Sequence, residues 1–237
     1  MKSKLLFSVL MVLLVASSPA FALTIDAFEA DQTASINSWI SSLGGNVLVL
    51  ENFEGVDTGW YQSLNTSVGT FTAGGNIGTG QTSYNANNNP DSSSPFFSIR
   101  DETWYGRGNT TIGGTKYLDS GDITEISLDL NPGLNITNLF FYLEDPSDVH
   151  ATTTIASESV TRSFSSLQNG SSWFIGISAL NAIDTITWTT SNQNDGYGLD
   201  DFSTVASVPE PATILLLGAG LIGLAGIGRK KRSSNPS

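Results

Sequence analysis

Between Leu23 and Val208 the apolar residues fall at helical spacing once, and everything after that point breaks into short β-branched and aromatic runs separated by Gly, Asn, Ser and Asp clusters. A stretch punctuated this way buries its apolar side chains by pairing strands, so an antiparallel sheet fold is the expectation. The single helix is placed at Asp31–Leu43, where Ile36, Trp39, Ile40 and Leu43 share a face. Asp31 is expected to cap its start and Gly44-Gly45 to end it. Strands are read at 47–53, 68–72, 96–99, 116–118, 123–130, 136–143, 152–156, 160–164, 173–177, 185–190 and 199–205. Ile126, Leu128 and Leu130 alternate with Ser127 and Asp129, the pattern of a strand with one dry and one wet face. Phe140-Phe141-Tyr142-Leu143 is continuously apolar and suits a central strand. The stretch 74–94 is too rich in Gly and Asn to pack and reads as long loops. The fold class is therefore mainly β: an antiparallel β-sandwich, jelly-roll-like, with one short N-terminal helix.

The two ends are addressed elsewhere than to the core. Residues 1–22 carry Lys2 and Lys4, an apolar run from Leu5 to Val15, and Ala20-Phe21-Ala22. Small residues at Ala20 and Ala22 fit cleavage by signal peptidase after Ala22, and the apolar run is about half of the ~20 residues a spanning helix needs. At the other end Val208-Pro209-Glu210-Pro211 precedes an uncharged stretch at 212–228 and the cluster Arg229-Lys230-Lys231-Arg232. At 1.5 Å per residue that stretch covers about 26 Å as a transmembrane helix, near the thickness of the hydrocarbon core. Positive charge stays on the cytoplasmic side, so the segment before Pro209 is left on the outer face. Three parts result: a signal peptide at 1–22, an exported domain at 23–208, and a tail at 209–237.

Six of the ten basic residues lie in those two ends. Between Leu23 and Val208 only Arg100, Arg107, Lys116 and Arg162 face 21 acids, a formal charge of −17. A surface so acidic repels phosphate backbones and anionic lipid, which excludes nucleic acid as a partner. With no cysteine, no disulfide is available, so a core or a metal must supply the stability.

The tail resembles the PEP-CTERM sorting signal: the Pro209-Glu210-Pro211 triplet, a Gly- and Leu-rich span, and a terminal basic cluster, in that order. The resemblance implies an exosortase as processing partner, transient residence in the inner membrane, removal of the tail near the triplet, and association with extracellular polysaccharide. A permanent single-span anchor would have nearly the same sequence, and both readings stand. Glu51-Asn52-Phe53-Glu54, the run 137–145, Trp173-Phe174-Ile175-Gly176-Ile177 and the segment 195–202 look like landmarks of PEP-CTERM ectodomains, which are similar in outline to carbohydrate-binding jelly rolls.

That likeness implies a structural Ca²⁺ shared by the first and last strands, with Glu54 and Asp201 as ligands and Glu51 and Asp200 as neighbours. The alternative is an acidic pair that ends a turn and faces water. Catalytic residues are not evident. His150 is the only histidine, expected in a solvent-exposed loop after Asp145-Pro146-Ser147-Asp148, and no Gly-x-Ser-x-Gly elbow exists. Zinc lacks its cysteines and a second histidine. Trp60, Tyr61, Trp104 and Tyr105 lie beside loop sequence, open to use either as sugar-stacking rings or as core. The expected function is a non-catalytic exported surface or matrix protein, secreted or held at the cell surface. A polysaccharide-binding module or polysaccharide-acting enzyme is the alternative.

Overall fold

A computed structural model describes residues 23–78, 94–112, 114–155 and 158–207. Fourteen strands form two antiparallel sheets among them. The first sheet runs, in spatial order, β1 (Leu23–Glu29), β12 (Ser172–Ala179), β9 (Asn138–Glu144), β14 (Gly198–Ser207), β7 (Tyr117–Asp119), β6 (Phe97–Arg100) and β3 (Gly59–Tyr61). β2 (Gly45–Glu51) pairs with the far half of β14, in line with β7. The second sheet runs β11 (Glu158–Ser163), β10 (Val149–Ile155), β13 (Thr185–Thr190), β8 (Ile123–Leu130), β5 (Gly69–Ile77) and β4 (Ser63–Asn65). From β7 to β10 the chain alternates between the sheets, so strand neighbours come from distant sequence, an arrangement compatible with a jelly roll.

The sheets pack face to face on one apolar layer. Phe71 and Trp188 of the second sheet meet Phe202 of the first at ring separations of 5.2 and 5.9 Å, and Phe141 meets Trp188 at 5.3 Å. Ile126, Leu128 and Leu130 of β8 point into that layer while Asp129 is exposed, as their alternation dictates.

The first sheet is covered on its outer face too, which accounts for the unbroken apolar run in β9. Leu139, Phe141 and Leu143 enter the central core, whereas Phe140 belongs to a second cluster with Phe174, Val205 and Ile36 beneath the helix α1 (Thr33–Ser42). Gln32 precedes this helix and makes no side-chain cap bond, so Asp31 is not its cap. Asp31 contributes its backbone carbonyl to the Thr33 N–H instead. Gly44 ends the helix at φ 69°, a conformation glycine adopts without strain, as expected.

Other expectations shift. β1 was not anticipated, nor were β3 and β4, each of three residues. Gly74–Ile77 continues β5 and is not loop. His150 stands half-buried on β10, opposite Ser163 and Thr189, and not in an exposed loop. No helix among the described residues is long and apolar enough to cross a membrane. The expected signal peptide, with Ala20 and Ala22, and the tail from Val208 through the expected transmembrane stretch at 212–228 to Arg232 lie outside the described residues.

Candidate functional site

Helix α1 covers one part of the outer face of the first sheet. The long connection between β6 and β7, residues 101–116, covers another, and the layer beneath it is polar. Tyr117, Asp119 and Asp200 are fully buried there, with Ser98, Arg100 and Glu144 nearly so. Such a layer is stable only where each polar group finds a partner.

Three anchors supply partners for the acids, while Ser98 Oγ has none among the described residues. At the first, Arg107 reaches inward: its Nε donates to Asp119 Oδ2 at 2.9 Å, its Nη1 donates to the Gly196 carbonyl at 3.1 Å, and Asp145 lies 3.6 Å away. Asp119 in turn accepts from the Gly121 N–H. At the second, Asp200 Oδ2 accepts from the N–H and hydroxyl of Thr110 at 2.8 and 2.9 Å, while Asp201 Oδ1 accepts from the Thr111 hydroxyl at 2.6 Å. At the third, Glu54 Oε1 accepts the N–H groups of Thr115 and Lys116, both at 2.7 Å.

The sequence Leu199-Asp200-Asp201-Phe202 explains the second anchor. Leu199 and Phe202 both enter the core, which two intervening residues forbid at a period of two. The ladder resolves this with a bulge, where pairing to β9 shifts between Asp200 and Ser203 and Asp201 adopts φ 55°. Burial pushes the Asp200 carboxyl up to about 7, against the pull of the Thr110 N–H, and it also raises Asp201, whose neighbour Glu54 adds repulsion. Burial raises Glu144 as well, although Ser172 and the Gly108 N–H favour its charged form.

Of the four acids expected to hold Ca²⁺, Glu54, Asp200 and Asp201 gather along this connection, and Glu51 turns to the Phe53 N–H at 2.7 Å. Among the described residues no group of three or more His, Cys, Asp or Glu side chains is placed to share a metal ion. The partners of these carboxylates on the connection are N–H and O–H donors.

Three of the four aromatic residues gather around Arg100. The Arg100 guanidinium lies 5.3 Å from the Trp60 ring and 4.2 Å from the Trp104 ring, and Trp104 meets Tyr105 edge-on at 5.2 Å. Trp60 and Trp104 are half-buried, whereas Tyr105 is 82% exposed. Tyr61 stacks on Phe97 at 6.1 Å and belongs to the core margin. Sequence reasoning missed Arg107, Thr110 and Thr111, although a domain with four basic residues and two of them at 100 and 107 carried a hint.

No curated protein matches the chain. The tail beyond β14 does have a match: residues 207–232 fit the PEP-CTERM protein-sorting motif, which marks this chain as an exported protein addressed to an exosortase.

Proposed function

We propose that the domain at 23–208 is a non-catalytic module of the cell surface or extracellular matrix, delivered there by exosortase processing and associated with exopolysaccharide. The sorting motif at 207–232 carries the reading, because it addresses everything before it to the outer face. The buried polar layer supports a structural use of the acids. Asp119, Asp145, Asp200 and Glu54 each hold the 101–116 connection or its anchor, and Asp200 and Asp119 are closed to solvent. A polysaccharide-acting enzyme would instead need two carboxylates opposed across an open cleft. Expression in an exosortase-deficient strain tests the delivery step. The tail-bearing form is expected to accumulate in the inner membrane there, and unchanged release would contradict the proposal.

Calcium between Glu54 and Asp201, with Asp200 as a neighbour, is a second proposal, supported by the repulsion that Glu54 exerts on Asp201 beside a buried carboxylate. The ion needs six to eight oxygens, so the two carboxylates would be completed by backbone carbonyls and water. A melting temperature that rises in millimolar Ca²⁺ and falls with EDTA supports this site; an identical curve removes it.

A further inference from the structure

The turn at the head of the 101–116 connection holds a tyrosine in a left-handed backbone conformation with its ring exposed. Trp104 and Arg107 exchange N–H to carbonyl bonds of 2.9 and 3.0 Å, and the two residues between them, Tyr105 and Gly106, have φ of 49° and 88°. Both are left-handed, the geometry of a type I′ turn, which Asn-Gly or Gly-Gly would occupy without penalty. A tyrosine held there is strained, and strain of this kind collects at ligand-binding positions. Its ring gains little from the protein in return, since it is 82% exposed and its aromatic contact is the edge of Trp104. What holds the turn is Arg107, buried among Asp119, Asp145 and the Gly196 carbonyl. The exposed ring is therefore presented from a rigid base and loses little freedom on binding.

Behind Tyr105 and turned 86° to it, Trp104 lies against the Arg100 guanidinium, which also faces Trp60, so Tyr105 is the ring left open. Asp101 and Glu102, which precede Trp104 in the chain, are exposed, with Glu102 also 3.8 Å from the Arg100 guanidinium, and the domain as a whole carries −17. Aromatic faces next to carboxylate acceptors, in a field that repels anions, suit one chemical class: an uncharged polyol with an apolar C–H face and hydroxyl donors. We infer that the Tyr105 ring, backed by Trp104, is the stacking face for a pyranose ring of a neutral polysaccharide, whose hydroxyls donate to Asp101 and Glu102. This inference rests on the surface-matrix reading and names the glycan class and the contact residues.

The test is retention of the secreted protein on insoluble or gel-embedded neutral glycans (cellulose, curdlan, starch and mannan) with alginate as the polyanion. At least one neutral glycan is expected to retain the protein and alginate to release it. Tyr105→Gly should weaken retention about tenfold or more while keeping or raising the melting temperature, because glycine relaxes the left-handed position. A tyrosine with a purely structural role would give the reverse, a lower melting temperature with unchanged retention. Retention that survives Tyr105→Gly, or that favours alginate, overturns the assigned site and glycan class while leaving a glycan-associated module in place. Retention by none of the glycans overturns both the site and the exopolysaccharide association, and processing of the tail is judged separately by mass.

Discussion

Arg107 is 3% exposed and lies against two carboxylates, Asp119 at 0% and Asp145 at 7% exposure. Removing one member of a buried ionic group leaves the others charged without compensation, a loss of about 3–5 kcal/mol. Arg107→Ala should therefore lower the urea midpoint by an amount of that order, and a loss below about 1 kcal/mol would mean that water replaces the guanidinium. The acids give a pH dependence with a definite sign. Burial raises Asp200 to about 7, and Glu144, Asp195 and Asp201 are raised in the same direction. An unfolded aspartate releases its proton near 4, so between about 4 and 7 the folded state binds protons that the unfolded state has lost. Stability then falls as pH rises through that window. The melting temperature is expected to be higher at pH 5 than at pH 7.5, with Asp200→Asn reducing the difference; a melting temperature that rises from pH 5 to 7.5 would contradict it.

The helix illustrates how one element depends on a vacancy in another. Trp39 of α1 donates its indole N–H to Asp26 on β1 at 2.9 Å and lies flat over Gly176 on β12, where a Cβ would come within 2.5 Å of the ring. Gly176→Ala should dislodge Trp39 at a cost of about 1–3 kcal/mol. Near-UV circular dichroism and faster amide exchange in α1 would report it, and an unchanged tryptophan signal would show that the helix sits more loosely. Elements of this kind were unequally legible in the sequence. β8 and β9 were readable because alternation and an unbroken apolar run each state how many faces are buried. β1 was not, since Leu-Thr-Ile-Asp-Ala-Phe-Glu is short and directly follows the segment expected to be an export signal, and β3 and β4 are too short to show a period. The anchors at Thr110 and Thr111 join residues 90 positions apart, which no local pattern records. The acidic pair at 200–201 could be singled out, but its role as a bulge that grips a loop follows only from the register of β14 against β9.

For the whole molecule, the sandwich supplies its stability without cysteine, through one apolar layer between the sheets and two covers, helix and connection, on the outer face of the first sheet. The last strand ends at Ser207, where the sorting motif begins, so the folded domain and its address abut with no intervening linker. Under the proposed function the domain is the product of processing, with both ends removed. Intact mass of the protein recovered from the cell surface or medium tests it most directly. A chain that begins at Leu23 and stops within or next to Pro209-Glu210-Pro211 is expected. A mass that retains Arg229-Lys230-Lys231-Arg232 outside the inner membrane would contradict it.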